Sequence, residues 1–176
     1  MKLVVLDTNV IVSAGIAPGG APAMLLFDWV LKGKVQVAVA PTVVAEYREV
    51  FRRLKFRRYG FPPLWLEFLI EETLWLPDPE SWTRPGPDPK DAPFLALANA
   101  AGAWLVTGNL KHFPETARNG VIVLSPADYL AHLSGRVPLQ PMRSSVGFSR
   151  PSPVPKSEGP GAPLAVVRDR GHPPVS

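Results

Sequence analysis

Short aliphatic runs alternate along the chain with segments in which apolar residues recur every three or four positions. The aliphatic runs predict strands over residues 3–6, 35–40, 74–76, 103–106 and 121–124. The periodic segments predict helices over residues 23–31, 42–54, 64–72, 92–101 and 126–133. Alternating strands and helices are typical of βαβ units, so the pattern predicts an α/β fold with a mainly parallel sheet.

Residues at the ends of these segments support the assignment. Thr42 is a good cap residue and is predicted to start the second long helix. Ser125 followed by Pro126 is predicted to start the last helix, and Gly102 to end the helix before it. The proline-rich stretch 77–89 predicts a loop.

The apolar pattern stops near Arg136. Residues 136–176 contain 9 of the 22 prolines and no sustained periodicity. A segment of this composition buries too little apolar surface to offset the entropy lost on ordering. We therefore predict a globular domain over residues 1–135 and a disordered tail over residues 136–176.

Composition narrows the class of protein. Hydrophobic residues make up 46% of the chain and charged residues 19%, which is enough apolar content for a real core. The absence of cysteine excludes disulfides, thiolate metal sites and a cysteine nucleophile, and fits the reducing cytoplasm. The sequence shows no signal-peptide pattern and no apolar stretch long enough to span a bilayer, so we expect a cytoplasmic protein.

The net charge of +4 is unevenly distributed. Residues 1–135 carry 13 Lys/Arg against 13 Asp/Glu, whereas residues 136–176 carry 6 against 2. The basic excess therefore belongs to the tail. A solvated basic tail explains it, so the charge alone says little about what the folded part binds.

Polar residues follow two of the predicted strands. Asp7 ends the first strand and precedes Thr8 and Asn9, and Thr107-Gly108-Asn109 follows strand 103–106 in the same way. In open α/β sheets, ligands bind beyond the carboxyl ends of the strands, so we expect these side chains to share a site. The alternative is that Asp7 only caps a turn or the next helix.

Glu46 lies on the apolar side of the predicted helix 42–54, three residues after Val43 and four before Val50. Burying a carboxylate there is costly unless it is paired or bound to a metal, so we predict a functional carboxylate, with a buried salt bridge as the alternative. Glu49, four residues before Arg53, is predicted to form a surface ion pair instead.

Asp88 and Asp91 precede the predicted helix 92–101. Alone, Asp91 is better explained as the N-cap of that helix. Together with Asp7 and Glu46 it gains a second interpretation, because clustered carboxylates repel one another unless a cation is present. Mg²⁺ prefers such oxygen ligands, and its bound water can attack a phosphodiester.

Other catalytic classes fit less well. Of the three histidines, only His112 lies near a strand end, so no Ser-His-Asp arrangement is predicted. Gly15, Gly19 and Gly20 lack the lysine and Ser/Thr of a phosphate-binding P-loop. A haloacid-dehalogenase-like phosphatase is a rival enzyme, but that class needs a second Asp where this chain has Asn9.

A basic run lies at the end of the helix that carries Glu46. It comprises Arg48, Arg52, Arg53, Lys55, Arg57 and Arg58, with Phe56 and Tyr59 between the charges. Cations that neutralise a backbone, combined with rings that stack on bases, would suit single-stranded RNA. The alternative is a solvated face that is favourable at a helix C-terminus.

Taken in order, these segments resemble the successive motifs of PIN domains. The matching segments are VVLDTNV at 4–10, Glu46, Asp88-x-x-Asp91 with FLALA at 94–98, and LVTGNLKHF at 105–113. The resemblance covers residues 2–133. It is strongest to the VapC-like toxins of bacterial toxin–antitoxin systems.

This resemblance implies a three-layer α/β/α fold and a ribonuclease that cleaves single-stranded RNA with Mg²⁺ or Mn²⁺. It implies that Asp7, Glu46 and Asp91 are the catalytic metal ligands and that Asp88 is an auxiliary ligand. A homodimer and an antitoxin partner are also implied.

Three further residues, Asn9, Thr107 and Asn109, are implied to orient the site. Many PIN domains have an acid where Asn109 stands, and an amide binds a cation more weakly. The amide at position 109 therefore weakens any second metal site. A degenerate PIN fold that binds RNA or an antitoxin without cleavage remains the alternative.

Overall fold

Five short parallel strands form one sheet in the computed structural model, which describes residues 3–53, 59, 64–85 and 87–136. The strands are β1 (Leu3–Leu6), β2 (Gln36–Val39), β3 (Leu74–Trp75), β4 (Trp104–Val106) and β5 (Val123–Leu124). Their order across the sheet is β3-β2-β1-β4-β5, and every neighbouring pair is parallel. The predicted parallel α/β sheet is confirmed.

The central strand shows why the aliphatic runs form this sheet. Val4, Val5 and Leu6 of β1 are all fully buried, although successive side chains of a strand point to opposite faces. A strand covered on both faces has to be apolar at every position. The strand therefore appears in the sequence as a continuous run of apolar residues, and not as an alternation of apolar and polar residues.

Helices connect the strands. They are α1 (Thr8–Ile16), α2 (Ala21–Ala23) continuing into the π-helix Met24–Val30, α3 (Pro41–Arg52), α4 (Leu64–Glu71), α5 (Ala92–Ala100) and α6 (Pro126–Leu133). Helix α3 packs directly against α5, where the rings of Tyr47 and Phe94 stack with their centroids 6.3 Å apart, and α2 packs against α6. The expected α/β/α fold around a parallel sheet is confirmed. No single helix in the described ranges is long and apolar enough to cross a membrane, although α1 and Ala21–Val30, bent by 106°, pass that test as a pair.

Helix α1 is the helix that the hydrophobic pattern does not predict. Four of its nine residues, Val10, Ile11, Val12 and Ala14, are buried apolar residues that occupy nearly consecutive positions. Because the helix is covered on several sides, it lacks the polar face that gives an amphipathic period. Because α1 is buried on several sides, the sequence has no amphipathic pattern that would predict this helix.

The strand order reverses between β1 and β4. The carboxyl ends of these two strands therefore lie side by side at the switch point, where open α/β sheets bind ligands. The backbone N–H of Asp7 donates to the carbonyl oxygen of Val106 at 2.9 Å. This register brings the residues after the two strands together.

The start of α3 differs from the prediction. The helix begins at Pro41 with Ala40 as its N-cap, so the expected cap Thr42 lies inside the first turn. Ala40 has no side-chain acceptor, and the Thr42 N–H instead donates to Asp78 Oδ1 at 2.9 Å. A residue of the proline-rich loop thus supplies the cap from a distance.

We expect Asp78→Ala to lower the free energy of unfolding by about 1 kcal/mol, the usual cost of losing a helix cap. Urea unfolding would measure the loss. Asp78→Asn keeps an acceptor oxygen and should cost less, and Glu80→Ala in the same exposed loop is the control. Equal stability of Asp78→Ala and Glu80→Ala would contradict the role of this cap.

The predicted tail lies outside the described residues from position 137 onward. Its disorder and the proposed domain boundary at residue 135 stay predictions. The last described element, α6, ends at Leu133. Ser125 caps that helix through its side chain, which accepts from the backbone N–H of Asp128 at 3.1 Å, so the predicted helix start is confirmed.

Candidate functional site

Asp7 lies at the switch point and is only 4% exposed. Its Oδ1 accepts the backbone N–H of Asn9 at 3.1 Å, which caps α1. Its Oδ2 accepts the Thr107 hydroxyl at 2.7 Å and the Asn9 side-chain amide at 2.6 Å. Asp7 is therefore a helix cap and also a carboxylate held at the carboxyl edge of the sheet, so the two interpretations of this residue are compatible.

Further hydrogen bonds hold together the segment after β1 (residues 7–9) and the segment after β4 (residues 107–109). Asn9 Oδ1 accepts the backbone N–H of Gly108 at 2.7 Å. Thr107 Oγ1 accepts the backbone N–H of Asn109 at 3.0 Å. A Cβ at position 108 would lie 2.9 Å from Asn9 Oδ1, so only glycine allows this close approach without displacing the amide.

Glu46 is half-buried on α3 and accepts the Thr8 hydroxyl at 2.8 Å. The salt bridges among the described residues join other carboxylates to cations, so none of them neutralises Glu46. One of them is the predicted surface pair between Glu49 and Arg53, at 3.2 Å. In the described part of the chain, the buried salt bridge considered for Glu46 therefore has no partner.

Asp91 occupies the N-cap position of α5, but within the described residues its side chain makes no capping hydrogen bond. Its Oδ2 instead lies 2.9 Å from Nδ1 of His112, in the turn Leu110–His112 after β4. Asp88 is exposed, and its Oδ1 accepts the backbone N–H of Lys90 at 2.9 Å. Asp88 therefore shapes the turn before α5.

The three carboxylates influence one another. Burial raises the pKa of Asp7, and the hydrogen bonds from Thr107 and Asn9 only partly oppose this. Burial also raises the pKa of Glu46, and the charges of Asp7 and Asp91 raise it further. The pKa of Asp91 is raised by burial and by the charge of Asp7, against a lowering by His112. Asp7 therefore lies near enough to Glu46 and to Asp91 for its charge to act on both.

The buried side chain of Tyr47 lies next to the acidic residues and connects α3 to β1. The Tyr47 hydroxyl donates to the carbonyl oxygen of Leu6, and burial raises the pKa of this phenol well above its usual range. Tyr47 therefore remains a neutral donor that ties α3 to the end of β1. This contact fixes the helix that carries Glu46 against the strand that leads to Asp7.

These pKa shifts predict how stability depends on pH. In the folded metal-free protein, Asp7, Glu46 and Asp91 hold protons more tightly than they do in the unfolded chain, where the usual pKa is 3.8 for Asp and 4.5 for Glu. Folding therefore binds protons in the interval above these values. The contribution of the cluster is complete below that interval and is lost as the pH rises through the raised pKa values.

We expect the urea midpoint in EDTA to fall as the pH rises from about 4 toward neutrality. Asp28 and Glu67 have lowered pKa values because they pair with Lys32 and Arg48. Both are exposed, so they should contribute little to the dependence of stability on pH. Saturating Mn²⁺ should flatten the decline, because the cation offsets the carboxylate charges. A urea midpoint that rises between about pH 4 and neutrality in EDTA would contradict the raised pKa values of the three acids of the site.

The donor set fits a hard divalent cation. It consists of carboxylate, hydroxyl and amide oxygens, and Mg²⁺ is usually held by one or two carboxylates together with water and substrate phosphates. In the ranges that the structure describes, no three acidic or histidine side chains are arranged to hold an ion together. Thr8 engages Oε1 of Glu46 and His112 engages Oδ2 of Asp91, so each of these two acids has a second carboxylate oxygen with which to bind a cation.

The basic residues are less available than the sequence suggests. Arg48 makes two hydrogen bonds to Glu67, at 3.2 and 2.7 Å, and so joins α3 to α4. Arg53 pairs with Glu49, while Arg52 is exposed in the last turn of α3. The other three cations, Lys55, Arg57 and Arg58, lie outside the described residues. RNA contact by this run stays a prediction, with two of its members already paired.

Sequence reasoning did not predict the contacts made by two residues of the site. Thr8, the donor to Glu46, begins the unpredicted helix α1, and its position directly after Asp7 was the available signal. His112 was noted only as a histidine near a strand end. Its partner Asp91 lies 21 positions earlier, and nothing in the local pattern links the two.

Several solved structures are similar to this chain at low sequence identity. VapBC2 from Rickettsia felis bound to a DNA fragment from their promoter is 18% identical, covers 70% of this chain and 98% of its own, and has a TM-score of 0.49. FitAcB from Neisseria gonorrhoeae is 20% identical with the same coverage and TM-score. PAE2754 from Pyrobaculum aerophilum is 16% identical, covers 77% of this chain and 98% of its own, and has a TM-score of 0.50. At this identity the likeness concerns the fold alone.

Comparison of sequences identifies the family. No curated protein matches the chain. The family model described as PIN domain matches residues 3–111, which contain Asp7, Glu46, Asp91 and the segment after β4. Since this match spans more than half of the sequence, the chain belongs to the PIN-domain family.

Proposed function

We propose that the protein is an endoribonuclease that cleaves single-stranded RNA and depends on Mg²⁺ or Mn²⁺. The observation that carries the proposal is the buried Asp7 carboxylate at the switch point, whose charge acts on Glu46 and Asp91, while none of these three acids forms a salt bridge with a lysine or arginine among the described residues. Membership of a family whose proteins are generally nucleases supports the same conclusion.

In this proposal, Asp7, Glu46 and Asp91 hold the cation, and Asp88 adds negative charge beside Asp91. A bound Mg²⁺ or Mn²⁺ supplies an activated water and offsets the charge of the transition state. Water would attack phosphorus and lose a proton as the bond from phosphorus to the leaving ribose oxygen breaks, and that ribose oxygen would take up a proton.

The protein's own contribution is preorganisation. Hydrogen bonds from Thr107 and Asn9 fix both oxygens of Asp7, so this carboxylate needs little rearrangement to act as a ligand. Glu46 is held by Thr8, and its helix is fixed to β1 through Tyr47. Asn109 immediately precedes the turn Leu110–His112 after β4 and, in this proposal, helps to orient the site.

A nuclease assay tests the proposal. Purified protein should cleave single-stranded RNA with Mn²⁺ and lose this activity in EDTA. Binding of RNA without cleavage would favour the degenerate PIN fold. Two features support that alternative: the amide at Asn109, and the lack of three acidic or histidine side chains arranged around one point in the described residues. Release of phosphate from a small ester would favour the rival phosphatase.

Asn109→Asp tests how the amide limits the site. Asn109 is half-buried next to Thr107, where many PIN domains have an acid. A carboxylate at this position should increase Mn²⁺ affinity or stoichiometry and raise cleavage at low Mn²⁺. Calorimetry that gives unchanged binding would place Asn109 away from the metal.

We further propose that the protein acts in the cytoplasm as the toxin of a type II toxin–antitoxin pair, and that it forms a homodimer. The motif resemblance supports the toxin assignment. Leu64 and Phe68, one helical turn apart on α4, are 86% and 65% exposed, and exposed apolar side chains of this kind favour a protein partner. Co-purification with the product of a neighbouring small gene, followed by loss of RNA cleavage in the complex, would test the pairing.

A further inference from the structure

The contact between His112 and Asp91 has a different character from the surface ion pairs. The Asp91 side chain is 16% exposed and the His112 side chain 51%. In the pair Lys32–Asp28, both side chains are more than half exposed, and such pairs contribute little. A hydrogen bond to a shielded carboxylate is stronger and holds it in one orientation.

Each acid of the site has its own hydroxyl, amide or imidazole partner. Asp7 is held by Thr107 and Asn9, and Glu46 by Thr8. Asp91 makes no capping bond to its own helix within the described residues, so it is the imidazole of His112 that restrains its carboxylate there. Without that ring, the Asp91 carboxylate could rotate about its own side-chain bonds.

We propose that His112 is a positioning residue whose Nδ1–H holds Oδ2 of Asp91, so that Oδ1 remains available to a divalent cation. This inference rests on the proposed function, since it assigns His112 a role toward the metal of the same site. Metal-binding carboxylates are commonly oriented by an outer hydrogen bond, and losing such a partner typically weakens metal binding about 10- to 100-fold.

The position of His112 suits this role. It ends the short turn Leu110–His112, which begins immediately after Asn109. The backbone N–H of Asn109 donates to Thr107 Oγ1, the hydroxyl that also donates to Asp7 Oδ2. The segment after β4 therefore holds two acids at once, Asp7 through Thr107 and Asp91 through His112.

Three substitutions at position 112 test the proposal through Mn²⁺ affinity, measured by calorimetry without RNA. His112→Ala removes the donor and should weaken Mn²⁺ binding about 10- to 100-fold. His112→Asn places an amide N–H near the position of Nδ1 and should recover most of the affinity. His112→Gln places its amide near the position of Nε2 and should behave like the alanine variant. Lys111→Ala, an exposed neighbour in the same turn, is the matched control and should bind like the parent.

The outcomes separate this proposal from the proposed function. If the parent protein binds no Mn²⁺ and cleaves no RNA, the metal-dependent nuclease itself is wrong and the role of His112 fails with it. If the parent binds and cleaves while His112→Ala keeps full affinity, only the positioning role is overturned. Equal losses in the alanine and asparagine variants would also overturn it, because the ring would then act through an atom other than Nδ1. The asparagine–glutamine comparison remains decisive even if the alanine variant unfolds.

Discussion

Replacing Glu46 with glutamine should reduce RNA cleavage by orders of magnitude, while the metal-free protein unfolds at an equal or higher temperature. Glutamine keeps the shape of the side chain, and its carbonyl oxygen can still accept the Thr8 hydroxyl. The change removes a charge that is disfavoured by burial and by repulsion from Asp7 and Asp91. Loss of a metal ligand and relief of repulsion thus move activity and stability in opposite directions.

Glu49→Gln provides a matched control on the same helix. Glu49 is exposed and pairs with Arg53, so its neutralisation should leave cleavage unchanged and alter stability by less than about 1 kcal/mol. Thermal unfolding in EDTA and cleavage in Mn²⁺ would be measured for both variants. If Glu46 instead stabilises a buried cation, Glu46→Gln should lose roughly 3–5 kcal/mol, and retained activity together with that loss would contradict the catalytic assignment.

Asp7→Ala should abolish cleavage and also destabilise the protein, in contrast to Glu46→Gln. The substitution removes the cap of α1 and the acceptor of the Thr107 hydroxyl and the Asn9 amide. Buried donors left without an acceptor cost about 1–3 kcal/mol, and relief of the buried charge offsets part of this cost. We therefore expect a net loss of about 1–3 kcal/mol in urea unfolding with EDTA.

Asp7→Asn separates the two contributions. Asparagine keeps one acceptor oxygen that can cap α1, so this variant should lose cleavage with a smaller loss of stability than the alanine variant. Parental stability of Asp7→Ala would contradict this expectation, because relief of the buried charge would then offset the lost hydrogen bonds completely. Parental activity of Asp7→Asn would remove Asp7 from the catalytic machinery.

The stability of this fold and the chemistry of its site compete at the same residues. Asp7 is stabilising as a cap and as a hydrogen-bond acceptor, yet burial disfavours its charge. The charges of Glu46 and Asp91 are disfavoured in the metal-free protein, first by burial and then by repulsion from neighbouring carboxylates, while Thr8 and His112 act in the opposite direction. In the proposed function, a divalent cation removes that repulsion, so metal binding should raise the unfolding temperature of the parent more than that of Glu46→Gln.

Much of the molecule follows from the sequence itself. A central parallel strand must be apolar at every position, so Leu3–Leu6 is visible as an aliphatic run that a carboxylate ends. The amphipathic spacing of α3 placed Glu46 beside Val43 on the inner side of the helix. The Ser125-Pro126 start of α6 is local chemistry between adjacent residues. These features depend on residues that are close together in the chain, so local sequence patterns are enough to predict them.

Other features were decided only by the tertiary structure. Burial on several sides conceals α1, and the cap of α3 comes from Asp78 in a distant loop. Asp91 turns to His112 and away from its own helix, and Arg48 is neutralised by Glu67 across two helices. Each of these contacts joins residues 19 or more positions apart or depends on cover from the whole core. Local periodicity carries no information about which distant groups the strand order brings together, and here that order joined Asp7 after β1 to Thr107 after β4.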